Sequence, residues 1–485
     1  MALNKFYGVR VEEAETSPAD YRNSGIPIAF GTAPVHQVGG EANQIVVADS
    51  FDEAVSALGW SDDWTKYTLC EAMYCQLKLY GYGPLVLVNV MDPDNYATAV
   101  DSATYAISDS QVILDADVIP DTVVVSDGST TYEAGTDYDV FYEDGVCYVE
   151  VLEGGAIEEA GLTELTISYS VVEFEIADLV SEVIGGENAT TGDATGLELM
   201  DLAYYKEQIL PDIIIAPGFS IYPEVAAAMA TKAQSFSTVF RAVAYVDIST
   251  EEATRYRTAV SYKESNEEYR MENEVVCWPM VKNDDLIYHL STQMAALTTQ
   301  TDSENDDVPS KAISNIEMEA EATCLADGTE ILLDIDRANY LRSNGIVTAF
   351  NFVNGFTIWG TYAACYPDNT DPKDCMVHAK RMMVYVCNQI ILRNWPKIDS
   401  RLTARTAEAI VDEVNIWINE LKGDDHLLGG HCEFYQSENS YEDFSAGILH
   451  LHLFVGIPGV LQELDFTVEY DASYLKEAYE SAFSN

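Results

Sequence analysis

Residues 69–90 read LCEAMYCQLKLYGYGPLVLVNV, and the order of the α/β elements is set there. Leu69, Met73, Leu77 and Tyr80 recur at helical spacing, Gly81-Tyr82-Gly83-Pro84 breaks the helix, and Leu85-Val86-Leu87-Val88-Asn89-Val90 follows as an apolar run. Such a run, with no polar face, predicts a strand covered on both sides. The same alternation returns at Ile213-Ile214-Ile215-Ala216, in an Ala-rich helix from Val225 to Ala233, at Ala242-Val243-Ala244-Tyr245-Val246 and at Val275-Val276-Cys277-Trp278. Apolar strands alternating with helices predict an α/β core domain with a mostly parallel sheet.

Between these two parts the composition changes. No Lys or Arg occurs between Lys78 and Lys206, an interval of 127 residues that holds 26 Asp and Glu. Inside it, Thr122-Val123-Val124-Val125, Tyr138 to Tyr142, Val146 to Val151 and Leu165 to Tyr169 are punctuated by Asp127-Gly128, Asp144-Gly145 and Gly154-Gly155. Short β-rich runs with turn pairs between them predict an inserted all-β domain, acidic on its outer faces. Beyond residue 365 the pattern changes again. Ile410, Val414, Trp417 and Leu421 form one helical stripe, and Ile448 to Val455 reads as a strand. Leu464, Phe466, Val468 and Tyr470 alternate with Asp465, Thr467, Glu469 and Asp471, which predicts a second strand with one buried and one wet face. The expected organisation is a terminal arm (1–24), a first part of the α/β domain (25–99), the inserted acidic β domain (100–175), the second part of the α/β domain (176–365) and an α+β C-terminal domain (366–485).

Composition excludes several functions. With 48% hydrophobic and 11% aromatic residues the chain is not of the disordered class. A net charge of −56 repels phosphate backbones and anionic bilayers, so neither direct nucleic-acid contact nor membrane insertion is expected. Met1-Ala2-Leu3-Asn4-Lys5 lacks the apolar core of a secretory signal, so assembly in a cytoplasm is expected. The nine cysteines contain no C-x-x-C pair and read as reduced, mostly buried thiols.

The motifs with catalytic or ligand chemistry are incomplete. Gly81-Tyr82-Gly83 precedes its strand and lacks the third glycine of a dinucleotide fingerprint, and no G-x-x-x-x-G-K-[ST] occurs. Pro217-Gly218-Phe219-Ser220 has Tyr222 where a nucleophile elbow needs glycine. His450 and His452 would share a strand face, but two ligands do not hold a metal, and nothing in the sequence brings His431-Cys432 close. Ser303-Glu304-Asn305-Asp306-Asp307 lacks the glycine and closing glutamate of an EF-hand loop. No catalytic residue, metal or cofactor is expected.

The order of segments resembles the sheath protein of contractile phage tails and related contractile injection particles. Phe6-Tyr7-Gly8-Val9-Arg10-Val11-Glu12-Glu13 is similar to that family's N-terminal strand, and Ile26-Pro27-Ile28-Ala29-Phe30-Gly31-Thr32-Ala33-Pro34 to the segment after it. Asp212-Ile213-Ile214-Ile215-Ala216-Pro217-Gly218 resembles the strand-plus-PG of its α/β domain. Leu341-Arg342-Ser343-Asn344-Gly345-Ile346-Val347-Thr348-Ala349-Phe350, leading to Gly355-Phe356-Thr357-Ile358-Trp359-Gly360-Thr361-Tyr362, is similar to its helix, N-G-I step and W-G hairpin, although the Arg that often precedes the Thr is absent. Phe444-Ser445-Ala446-Gly447-Ile448 through Ile457-Pro458-Gly459-Val460-Leu461-Gln462-Glu463-Leu464-Asp465-Phe466 resembles its closing strands.

The resemblance implies a structural subunit that forms six-membered rings, stacked helically around a tail tube and knitted by strand exchange. Contraction then drives the tube through a cell envelope. It implies as partners other copies of the chain, a tube protein, and baseplate and tail terminator proteins, in a virion tail or a bacteriocin-like particle. Tyr7, Val9 and Val11, alternating with Gly8, Arg10 and Glu12, and likewise Leu464, Phe466, Val468 and Tyr470, are the expected inter-subunit strands. Between Lys373 and Arg405 lie seven basic residues against Asp374 and Asp399. A local +5 in an acidic chain marks contact with something negative, and in the sheath family the C-terminal domain faces the tube. Lys380, Arg381, Arg393 and Lys397 are therefore the expected tube-facing residues; a solvated face or ion pairs within the chain is the competing reading. An α/β hydrolase-like enzyme with an acidic accessory domain is the alternative from another class, but it lacks a nucleophile and base. An acidic surface-layer or adhesion protein would need a secretion signal.

Overall fold

A computed structural model describes residues 24–114, 117–143, 145–189, 191–353 and 355–483. Its centre is an eight-stranded sheet ordered Phe356–Trp359, Ile346–Asn351, Glu274–Cys277, Val243–Asp247, Ile213–Ile215, Pro27–Gly31, Leu85–Asn89, Ile45–Ala48. The six inner strands are parallel and each edge strand is antiparallel to its neighbour. Every residue of Pro27–Gly31, Leu85–Asn89 and Val243–Asp247 is buried, which is why these strands read as unbroken apolar runs. The predicted helix before Leu85 is an α-helix over Thr68–Met73 that widens into a π-helix over Tyr74–Tyr80.

The core helix Leu290–Ser303 has twelve of its fourteen residues buried. Its Thr298, Thr299 and Thr301 hydroxyls donate to the carbonyls of Met294, Ala295 and Leu297, one turn back, so burial leaves them satisfied. Its N-terminal N–H groups meet buried carboxylates. Asp247 accepts from the Ser291 N–H at 3.0 Å and from its hydroxyl, and Glu71 accepts from the His289 N–H at 2.7 Å.

Residues 97–172 form two three-stranded antiparallel sheets. One is Ala97–Ala106, Glu164–Val172, Val124–Ser126; the other is Gln111–Ile113, Val146–Val151, Tyr138–Glu143. They enclose a separate core that includes Val118, Val125, Tyr138, Cys147, Val149, Leu165 and Ile167. Both ends of this unit meet, since the Glu173 N–H donates to the Tyr96 carbonyl at 2.9 Å. Lys66, in the loop before the Thr68–Met73 helix, ties it to the α/β body, donating to Asp117 and to the Val172 carbonyl, each at 2.7 Å.

At the N-G-I step, Gly345 has φ +68°, and a Cβ there would lie 2.5 Å from the Tyr366 carbonyl oxygen and 2.6 Å from Lys263 Nζ. Only glycine fits where the helix Ile335–Arg342 turns into its strand. The nine cysteines are free thiols, eight of them buried.

Candidate assembly surface

The C-terminal part pairs two helices, Val377–Asn394 and Ala404–Gly423, with a two-stranded antiparallel sheet, Gly429–Glu433 and His452–Gly456. Val414, Trp417, Ile418 and Leu421 from one helix and Met382, Tyr385 and Val386 from the other close a small core under Cys432. Asn415 brackets Cys432: its side-chain oxygen accepts from the Cys432 N–H at 2.7 Å and its amide donates to the Cys432 carbonyl at 3.1 Å. The outer edge of Gly429–Glu433 is thereby occupied at Cys432. Antiparallel alternation then turns the backbone groups of Leu453 and Val455, opposite Cys432 and Gly430, away from their partner strand. Among the described residues no strand pairs with that edge.

Residues 457–471 form no strand in the chain itself. His378 Nε2 lies 3.0 Å from the Pro458 carbonyl and the Tyr362 hydroxyl donates to Gln462 at 2.8 Å, so the start of the segment is tied to the body. Past these ties Leu464, Phe466, Val468 and Tyr470 are 63%, 80%, 92% and 83% exposed. The expected strand with one buried face is corrected accordingly: both faces are exposed, because among the described residues no strand lies beside it. Tyr7, Val9 and Val11 fall outside the described residues.

The basic stretch is divided by its partners. Arg381 is 3% exposed, which corrects the expectation that it faces a tube. Its guanidinium makes two bonds to Asp302, at 2.6 and 3.1 Å, and one to Asp212 at 3.1 Å. Ser24 donates to the same Asp302 at 2.6 Å, and the Ile26 N–H donates to Asp212 at 2.7 Å. Burial raises the Asp212 carboxyl above the usual range, an effect that Arg381 opposes. The cluster joins the C-terminal helix to the core where the described chain begins. Lys380 pairs with Glu272 at 2.5 Å, and Lys397 pairs with Glu413. Arg393 is exposed, with its guanidinium 5.0 Å from the centre of the Trp417 ring. Trp395, between these last two cations in the sequence, and Ile398, next after Lys397, are both 65% exposed.

The strand pairing brings His431 near His452, which the sequence did not indicate, but each ring meets a carboxylate: His431 pairs with Glu433 at 3.2 Å and His452 with Glu438. Among the described residues no group of three or more His, Cys, Asp or Glu is placed to hold a metal, and no helix is long and apolar enough to cross a membrane.

No family model matches the chain. A protein of Pseudomonas aeruginosa (strain UCBPP-PA14) described as a prophage major tail sheath protein is 25% identical over 311 residues, covering 62% of this chain and 75% of that one. Three cryo-EM structures share the fold over nearly the whole length. The PVC sheath complex of an extracellular contractile injection system, in the contracted state, is 13% identical with a TM-score of 0.57, covering 98% of this chain and 100% of that one. A chain of the anti-feeding prophage baseplate is 12% identical at 0.56, covering 96% and 100%. The contracted helical sheath of the anti-feeding prophage is 13% identical at 0.54, covering 97% and 100%. The chain has the fold of contractile sheath subunits, as the order of its segments led us to expect.

Proposed function

We propose that this chain is the structural subunit of a contractile tail sheath. It polymerises as stacked rings around a tail tube and contracts to drive the tube through a cell envelope. The observation that carries this reading is a pair of unfilled halves among the described residues: an alternating segment, 464–470, with no strand beside it, and the outer edge of His452–Gly456, with none paired to it. A strand added there completes its ladder on another copy, at about 1 kcal/mol net per hydrogen bond, and repetition over a polymer multiplies that gain. The 1–24 arm, with Tyr7, Val9 and Val11, is the second donor in this reading.

The α/β parts, 25–99 and 176–365, form the rigid body, 366–485 is the polymerisation domain, and the acidic insert of about 100–175 points outward, where its uncompensated carboxylates avoid those of neighbours. Arg393 and Lys397, and Lys380 near the start of the Val377–Asn394 helix, meet an acidic tube surface. Baseplate and terminator proteins cap the two ends, in a virion tail or a bacteriocin-like particle assembled in a host cytoplasm. The role is mechanical, without a catalytic residue or cofactor.

Val455→Pro tests the edge. Proline removes an outward N–H and leaves the bonds to Gly429–Glu433 in place. The expected result is an unchanged circular dichroism spectrum with no hollow polymers in electron micrographs; polymers at the wild-type concentration would refute strand addition at this edge.

A further inference from the structure

We propose that the C-terminal helix Ser473–Phe483 is a second anchor between copies, its apolar stripe seated in a groove on the C-terminal domain of a neighbouring copy. This deepens the strand-exchange reading and rests on it. Leu475, Ala478, Tyr479, Ala482 and Phe483 follow the 3–4 spacing of one helix face, with Lys476, Glu477 and Glu480 on the other side. The Tyr479 and Phe483 rings lie 4.8 Å apart on that face. No residue of the helix is buried, and every residue from 461 to 483 is exposed. An amphipathic helix of eleven residues, about 16 Å long, does not hold in water by propensity alone, so its stripe calls for a cover.

The same chain carries a matching cavity of about 630 Å³ between the end of the Val377–Asn394 helix, the 398–402 turn, the Ala404–Gly423 helix and residues 446–453. Its apolar lining includes Ile398, Leu402, Ile410, Leu449 and Leu451. Four of these are half-buried and Ile398 is exposed, so the groove lies open. Among the described residues nothing covers the helix or fills the groove, which makes a second copy the occupant to argue for.

Register supplies the second reason. If 464–470 adds antiparallel to His452–Gly456 of a neighbour, residue 470 arrives at the 452 end of that strand. Leu449 and Leu451 line the groove just before it, and the helix begins three residues after Tyr470. The donated strand therefore delivers the helix to the groove. Charge agrees, because residues 463–480 hold six carboxylates against Lys476, while exposed Arg401 and Arg405 adjoin the groove-lining Ser400, Leu402 and Thr406 in the net-positive stretch.

The test places benzoylphenylalanine at Tyr479, mixes ¹⁵N-labelled with unlabelled full chains before assembly, and irradiates the polymers. Mixed heavy–light cross-links from the 473–483 peptide to residues 390–410 or 446–453 are expected. Cross-links confined to one copy, directed elsewhere, or absent from normal polymers overturn the helix contact alone. A chain that never polymerises in any form overturns the strand-exchange reading and this one with it. The double variant Leu475→Asp, Phe483→Asp, with the melting temperature of the dilute monomer unchanged, should raise the concentration needed for assembly by about tenfold or more. An unchanged threshold would also overturn the proposal.

Discussion

At the scale of single residues, two buried charge clusters hold the body of the subunit together. Arg381 lies 169 residues from Asp212 and 79 from Asp302, so counting charges along the sequence could not find its partners. The count saw a +5 stretch and assigned it to the surface, whereas desolvation requires a buried guanidinium to be paired. Arg381→Met should strand two carboxylates and destabilise the monomer by roughly 3–5 kcal/mol in urea unfolding; a loss below about 1 kcal/mol would place the cluster nearer to solvent than its burial indicates. The second cluster gives a pH signature. Burial alone would lower the His289 pKa, but the Glu71 carboxylate at 2.7 Å more than offsets this and raises it to about 9. A raised folded-state pKa gives stability that is fully present below the unfolded value of about 6.5 and lost as pH rises through 9. Glu71→Gln keeps an acceptor for the His289 N–H and removes the charge. The stability gap between wild type and this variant should therefore shrink by on the order of 2 kcal/mol between pH 6 and 9.5; a gap that stays constant would mean that His289 is neutral in the folded state.

At the scale of elements, the sequence was most legible where burial is total or cleanly one-sided. The inner strands at 213–215, 243–247 and 274–277 coincide with the apolar runs except at Asp247 and Glu274, and 124–126, 138–143, 146–151 and 164–172 of the insert match its β-rich runs, whereas Ala97–Ala106 and Gln111–Ile113 were not read as strands. Leu290–Ser303 was not legible: a helix covered on nearly all sides has no amphipathic period, and its threonines read against a helix until their hydroxyls bond one turn back. The alternation at 464–470 was legible as a strand pattern but not as to its partner, since period two marks a face to be covered and does not say by which molecule. The insert supports an element-scale expectation. Because Tyr96 and Glu173 already share a hydrogen bond and residues 97–172 have their own core, replacing them with a short glycine linker should leave a folded chain that still polymerises. Aggregation of that variant, or loss of assembly with the fold retained, would show that the insert contributes to the body or to a subunit contact.

At the scale of the whole molecule, a subunit of net charge −56 must find its neighbours against long-range repulsion. Main-chain bonding suits that requirement, because a ladder of N–H and C=O groups is indifferent to net charge and is completed only at an edge shaped to take it. It also leaves each rigid body free to rotate while the joint persists, as a sheath with extended and compact arrangements needs. Removal of the donor segment tests this account most directly. Full-length protein and a chain ending at Gln462, which keeps the tie to Tyr362, would be compared by sedimentation velocity and electron microscopy over a concentration series. The account predicts long hollow polymers from the first and a folded monomer at every concentration from the second. Polymers of equal length from both, or a monomer from both, would contradict it.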